Sequence, residues 1–530
     1  MKFAVKTWCK SGRARVGLLQ LKSSSSLGQG SPPATEVAIE TPALLLTTRK
    51  GLPAFISPDH LSFLPSPDSR LLQFSPMHFM EVPNSKTISN IGGVHQLLGL
   101  QGYGFVAVPR DSILSLPECY SSNKHGASFE TPCGRFLVKP LEYMKMISSM
   151  KPDLWVSLAD EVPASVSAKR NKTSVDRTIT WLDDCISLKP RDGALFGSIV
   201  GGCSVEERQR CAQEVARRNV SGYYIGGFGL GDSIAERSTF LHAVTDVLPK
   251  EKPRQVCGLG LPEEVLQGIA AGIDLFDSTY IYHLTLEGFA LVFPLDGNSK
   301  QHVSDPQLCA TASDYTKINL KATVYRKDLS RIVDGCKCYT CQNHTKAYIH
   351  HLLNVHEMLA PILLEIHNTH HYLSFFRLIR EAIKEGKFEE FRQSFIQSRR
   401  EHLLAASPSA FELESPLRHV GAAEPSSRKL GFRLFRKEKK EEERRREAAI
   451  ATPVNSDDHL ISATSSNRQP SPPHLWFMAA TSKLLSLRFR TRAAIPANFD
   501  PVPESKKQII FKFRRDDYDS VDADDEEEAD

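Results

Sequence analysis

The sequence predicts an α/β fold, a parallel sheet whose outer surface is covered by helices. Three observations lead there. Between about residues 40 and 272, short segments that are apolar on both faces alternate with segments whose apolar residues recur every three to four positions. That is the pattern of strands buried between layers and of the helices that cover them. Several helical segments open on residues suited to capping. Glycines and carboxylates sit just beyond the strand-like segments, which places them on one rim of such a fold. A closed barrel and an open, doubly wound sheet both satisfy these observations.

Taken in order, residues 3–5 and 16–19 are apolar runs separated by a polar, glycine-containing stretch, which predicts an N-terminal hairpin. A second reading of this region is an organelle transit peptide. Residues 1–35 contain no acid, several Lys and Arg, and the serine run 23–26. Strands are expected at 43–47, 104–108, 154–158, 194–200, 222–225, 255–259 and 274–276. Ser204 with Glu207, and Ser233 with Glu236, have the capping-box spacing that satisfies free amides at a helix start. Cys211, Ala212 and Val215 follow the first cap at helical spacing; Phe240, Leu241, Val244, Val247 and Leu248 follow the second. Pro262 opens a further helix with Val265, Leu266 and Ile269 on one face. The rim then carries Gly201, Gly202, Gly226, Gly227 and Gly260, together with Asp160 and Asp277. A turn alone accounts for any one of these glycines. Residues 226–229 lack the spacing of a dinucleotide fingerprint, and neither a Gly-Lys-Ser/Thr loop nor a nucleophile elbow occurs.

The chain has 530 residues, 41% of them hydrophobic, enough for one large core with extensions. Its net charge of +4 does not by itself announce nucleic-acid binding. No apolar run approaches the roughly 20 residues of a membrane-crossing helix. After about residue 398, Ser and Pro become frequent and charge falls in blocks. Residues 428–446 are basic around Glu441, Glu442 and Glu443, and 522–530 are almost wholly acidic. Like-charge blocks resist packing, so 401–530 is expected to be a low-complexity, disordered tail. The expected organisation is a barrel with its hairpin over 1–330, a metal-binding helical subdomain over 331–400, and the tail.

The strongest chemical signal is Cys336, Cys338 and Cys341. The chain's 11 cysteines are too sparse for a disulfide scaffold, and clustering of three within six positions points to metal in a reducing compartment. Gly335 gives the backbone freedom to turn so that the thiolates converge. Zinc takes four such ligands as a tetrahedron, so a fourth is required. His344, His350, His351, His356, His367, His370 and His371 lie downstream. His367, 26 residues after Cys341, can return on a helical hairpin, but His370 and His371 lie on the same helical face. Spacing alone leaves the choice open. A closed four-ligand site is structural, because no position remains for water.

With those residues in view, the sequence resembles the queuine/archaeosine tRNA-ribosyltransferases, which exchange a guanine in tRNA for a modified base. The matching stretches are 272–277, 335–341 and 346–352, the pair His367 and Asn368, and also 194–197 and 222–227. The resemblance covers about residues 1–400. It implies a (β/α)8 barrel of the TIM type with a zinc-binding C-terminal subdomain, and it selects His367 as the fourth ligand to one structural Zn2+.

Departures from the family then bear on the role. Active members carry an Asp-Ser-Gly-Gly-Phe-Gln segment after an early strand; residues 108–115 keep only Asp111 and Ser112 of it. The glutamine that reads the base edge is replaced by Val200, and a site without its polar reader discriminates poorly. Asp277 occupies the nucleophile position and Asp160 matches a base-binding aspartate, so the two are vestigial catalytic candidates. The tRNA-binding residues expected after Asp277 have become 281–288. This pattern resembles the family's eukaryotic accessory, non-catalytic branch, which implies a heterodimer with a catalytic paralogue, tRNA as the shared partner, and a cytoplasmic location. Two alternatives stand beside it: an active transglycosylase using Asp277 as nucleophile, and an unrelated zinc-stabilised barrel enzyme. The acid-free N-terminus keeps a transit peptide, or association with the outer mitochondrial surface, as the alternative location.

Overall fold

The computed structural model describes residues 1–22 apart from 11, residues 36–295 apart from 81, 133, 191 and 192, and residues 316–406. The serine run 23–26, and the predicted tail from 407 onward, lie outside the described residues. The described part belongs to one compact unit.

The chain opens with the expected hairpin. Strand β1 (Lys2–Trp8) pairs antiparallel with β2 (Arg15–Lys22), which pairs in turn with β3 (Glu36–Thr41). Eight strands then close into a parallel barrel: β4 (Ala43–Thr47), β5 (Leu71–Phe74), β6 (Gly104–Ala107), β10 (Leu154–Val156), β11 (Ala194–Ile199), β12 (Gly222–Ile225), β13 (Arg254–Val256) and β14 (Leu275–Asp277), with β14 returning to β4. The gap in numbering is filled by an antiparallel insertion of β7 (Leu116–Pro117), β8 (Ala127–Thr131) and β9 (Gly134–Val138). The closed barrel decides between the two sheet arrangements that the sequence left open.

Seven of the barrel strands lie where they are expected. The eighth, β5, is Leu71, Leu72, Gln73 and Phe74. Its central glutamine makes it unlike an apolar strand, yet Gln73 is buried, its Oε1 accepting from Gln255 Nε2 at 2.9 Å. Leu19, Leu21, Val37 and Ile39 of the N-terminal sheet pack with Leu45, Leu71, Val106 and Leu154 of the barrel. The hairpin is thus part of the core.

Helices cover the outside: α1 (Ser85–Ile91), α2 (Val94–Leu98), α3 (Pro140–Met150), α4 (Ala168–Ser187), α5 (Val205–Ala216), α6 (Ile234–Thr245), α7 (Pro262–Ala270) and α8 (Thr279–Glu287). Ser204 caps α5 as expected, its hydroxyl accepting from Glu207 N at 3.2 Å. Ser233 stands at the start of α6, but its side chain makes no capping bond, and α6 stops at Thr245, before Val247 and Leu248. Pro262 opens α7, and Val265, Leu266 and Ile269 are fully buried.

A two-stranded ribbon, β15 (Phe289–Leu291) with β16 (Lys317–Asn319), leads into the C-terminal helices. These are α9 (Tyr339–Asn343), α10 (Lys346–Asn354), the long α11 (Leu359–Lys384) and α12 (Phe388–Ala406). The last runs past the expected boundary at 400, and Phe395 packs in the main core. Helix α11 lies against the barrel: Arg380 and Arg377 each bond to Asp68 at 2.8 Å, and Phe376 meets Phe276.

Candidate functional site

Two clusters carry the residues that the sequence singles out. The first is the barrel mouth, where the strands end. Asp160 follows β10 and is 1% exposed. Both its carboxylate oxygens are engaged: Oδ1 takes Arg170 Nη2 at 2.7 Å, while Oδ2 takes Arg170 Nη1 at 2.8 Å and Arg177 Nη1 at 3.0 Å. Glu161 beside it accepts from Arg110 Nη1 at 2.8 Å and from the Gly227 amide at 2.6 Å. The Arg110–Glu161 pair therefore links the neighbouring ends of β6 and β10, and the Gly227 amide adds the end of β12. Burial works against the Arg110 charge, but its anionic surroundings, the Glu161 carboxylate among them, outweigh it and raise its pKa. Burial also pushes the Cys257 thiol up to about 12, so it stays protonated and is no nucleophile.

Asp277 ends β14, four strands from β10 and thus on the opposite side of the barrel. Its carboxylate accepts from the amides of Gly258 at 3.2 Å and Thr279 at 3.0 Å. Asp111 is held by His78 Nε2 at 2.9 Å and by the amides of Ile113 and Leu114. Val200 is buried and apolar, its amide donating to Cys211 Sγ at 3.4 Å. Gly201, at φ +152°, allows the chain to run against α5, where a Cβ would stand 2.5 Å from the Arg208 amide.

Sequence reasoning missed Arg110 and Arg208. Arg208 folds back from α5, donates to the carbonyls of Gly202 at 2.7 Å and Gly226 at 3.2 Å, and stacks on Phe228 at 4.3 Å. Burial lowers its pKa to about 10. The signal was present, because Arg208 lies on the same helical face as Cys211, Ala212 and Val215 and had to be buried with them. In the stretch 281–288, Ile281 and Leu284 are buried in the face of α8 near α11, and Asn368 Nδ2 reaches Thr285 Oγ1 at 3.3 Å. Where the resemblance expects tRNA contacts, these side chains pack the fold.

The second cluster is a candidate metal centre. The thiols of Cys336, Cys338 and Cys341 and the His367 imidazole have their ligand atoms within 4.8 Å of one another. Gly335, at φ +75°, leads the chain into the first thiol. Cys338 caps α9, its Sγ accepting from the Cys341 amide at 3.3 Å, so one helix start aims two thiols inward. His367 comes from α11, its Nδ1 3.3 Å from Cys341 Sγ and 3.5 Å from Cys338 Sγ. Its Nε2 donates to the Leu291 carbonyl at 2.8 Å, which fixes the tautomer and leaves the Nδ1 lone pair for a metal.

Geometry also settles the choice among histidines. His370 Nδ1 is 4.0 Å from Cys336 Sγ, at the edge of the group. His371 turns away, its Nε2 bonded to the Phe293 carbonyl at 3.0 Å, and burial pushes it down to about 3. Asn368 is used as well: Leu291 N donates to its Oδ1 at 2.9 Å, and its Nδ2 donates to Phe289 O at 3.0 Å. The His-Asn pair clips β15 to α11 beside the cluster. Three soft sulfurs and one nitrogen in this arrangement fit a closed tetrahedral metal site.

A family model described as queuine tRNA-ribosyltransferase matches residues 9–401. The chain belongs to that family. The match ends where the described helices end, in keeping with a resemblance over about 1–400. Among similar curated proteins, the queuine tRNA-ribosyltransferase accessory subunit 2 of Xenopus tropicalis is 32% identical over 405 residues, 71% of this chain and 94% of the relative. The protein of the same description from Homo sapiens is 35% identical over 347 residues, 58% of this chain and 83% of the relative. That from Ixodes scapularis is 29% identical over 412 residues, 74% and 99%.

Proposed function

We propose that this chain is the non-catalytic subunit of a heterodimeric queuine tRNA-ribosyltransferase. It pairs with a catalytic paralogue and supports the exchange of guanine for queuine at the wobble position of tRNA anticodons. One observation carries the reading: the carboxylates at the barrel mouth are held by the chain's own donors. Asp160 is held by Arg170 and Arg177, and Arg110 pairs with Glu161 between two neighbouring strand ends. A carboxylate whose two oxygens are both held by guanidinium groups is poorly placed to accept from an incoming base. The names of the relatives support the same reading.

The metal is a structural Zn2+ held by Cys336, Cys338, Cys341 and His367. Support for it is the donor set and the tautomer set by Leu291. The zinc would hold the 333–341 turn to α11 and leave no position for reacting water. The partner's docking face is the outer surface of this subdomain. There His60, Phe63, Tyr339, His344 and Tyr348 form a row of ring contacts, with centroids 4.7 to 5.9 Å apart, running from a barrel loop onto the zinc helices. Phe63, Tyr339 and Tyr348 are each about 40% exposed and Met358 is 77% exposed. Aromatic and Met surface of this kind is characteristic of interface cores. We assign the chain to the cytoplasm, a reading supported by the free state of the described cysteines.

A second reading, an active enzyme using Asp277, draws on the position of that carboxylate at the end of β14. Base exchange measured with this chain alone, a catalytic paralogue alone and the two mixed separates them. Turnover confined to the mixture is the expected result; turnover by this chain alone would establish the second reading.

A further inference from the structure

We propose that Tyr120 is a stacking platform for an unpaired RNA base, and that Asp160 serves it as a positioning residue. Tyr120 is 87% exposed, the most open of the large apolar side chains among the described residues. A single exposed ring is ordinary. What sets this one apart is the turn that carries it.

Glu118 accepts from the amides of Tyr120 at 3.0 Å and Ser121 at 2.9 Å, and its carbonyl accepts from the Ser122 hydroxyl. Arg170 donates to the Cys119 carbonyl at 2.9 Å, and Arg177 donates to the Ser122 carbonyl at 3.0 Å. Both arginines are aimed by the buried Asp160. Arg135 Nη1 adds a bond to Ser121 Oγ at 3.1 Å. The backbone on both sides of Tyr120 is thus fixed from inside the barrel rim, while the ring is left in solvent.

The charge around the ring favours a polyanion. Lys124 and Arg135 are exposed on the insertion, against the exposed acid Glu130; just beyond it Lys139 stands beside the exposed Glu142, and Arg170 and Arg177 keep about a fifth of their side chains open. A preorganised ring within a cationic border is how single-stranded RNA is held: bases stack, and phosphates meet Lys and Arg. A carboxylate at the end of β10 that could have faced a base instead orders the loop that would meet the RNA.

This inference rests on the proposed reading only for its choice of RNA, and binding is therefore the readout rather than base exchange. A labelled RNA hairpin with an unpaired loop is titrated by fluorescence anisotropy, at fixed ionic strength, with the full-length chain, alone and mixed with a catalytic paralogue. Tyr120→Ala should weaken hairpin binding about tenfold. Tyr120→Phe should bind like the wild type, and a fully paired duplex should not distinguish the variants. Unchanged melting of Tyr120→Ala checks that the fold is intact. Equal hairpin binding by Tyr120→Ala and wild type, equal losses on hairpin and duplex, or no RNA binding in either arm would overturn the inference. Loss of the paralogue rather than of RNA, seen by gel filtration, would assign the ring to a protein interface and overturn it as well. Absence of turnover in the mixture counts against the accessory role and leaves this binding result unaffected.

Discussion

The barrel mouth and the metal centre are both built from the residue types that the family uses, but their polar atoms end up in opposite situations. At the mouth, Asp160 meets two arginines, Glu161 meets Arg110 and an amide, and Asp277 meets two amides. At the metal centre, three thiols and the His367 Nδ1 face one another within 4.8 Å, and only the far side of the imidazole is tied to a carbonyl. A residue type at a strand end therefore does not say what it does. What decides is how many of its lone pairs the rest of the chain leaves free. The carboxylates of the mouth are held by the chain's own donors, whereas the thiols and the imidazole form a donor set that could hold an ion.

The largest effect should come from emptying the metal centre. Cys338→Ser with Cys341→Ser should abolish zinc in native mass spectrometry with metal analysis and lower solubility at the same time, because metal binding and folding are coupled. Full zinc retention would break the comparison at its stronger end. Acidification should release the ion, since the thiols and the imidazole must be deprotonated to bind it.

Next in size is the mouth. Arg110→Ala leaves the Glu161 carboxylate buried with one amide, and breaking a buried pair in this way costs on the order of 3 to 5 kcal/mol. Arg110→Met combined with Glu161→Leu should recover most of that loss, because neither charge is then stranded. Denaturant unfolding of the single and double variants checks this. Equal losses in both would mean that shape rather than charge fills the mouth.

A smaller, pH-dependent effect is expected at Glu365 of α11. It is buried and accepts one bond, from Phe55 N at 2.7 Å, and burial raises its pKa from 4.5 to about 7. The folded state holds this proton more tightly than the unfolded chain does. Stability is therefore fully present below about pH 4.5 and falls as the pH rises to about 7, by on the order of 3 kcal/mol. Glu365→Gln should melt higher than the wild type at pH 8, and the gap should close by pH 4.5. A gap independent of pH would contradict the assignment. The smallest effect should be truncation after residue 406, which should leave melting and zinc content unchanged. A large drop in melting temperature would make the remainder part of the core.

The sequence was most legible where a local pattern forces the structure. The glycine-led cysteine cluster and the both-face apolar strands are of this kind. It was less legible where a partner lies far along the chain. Gln73 hides β5 because its partner, Gln255, is 182 positions away. The roles of Asp160 and Asp111 likewise depend on Arg177 and His78, which no spacing rule connects to them. His367 could not be chosen over its neighbours by spacing, because the carbonyls of Leu291 and Phe293 sort the three rings.

The central claim is that this chain's mouth does no chemistry, and Asp277 tests it most directly. Asp277→Asn is introduced into this chain, and the equivalent change is made separately in the catalytic paralogue. Base exchange is then measured on each reconstituted heterodimer. The account predicts nearly unchanged turnover when Asp277 is replaced here, and loss of turnover when the paralogue's aspartate is replaced. Loss of most activity from Asp277→Asn in this chain would show that it is catalytic and contradict the account.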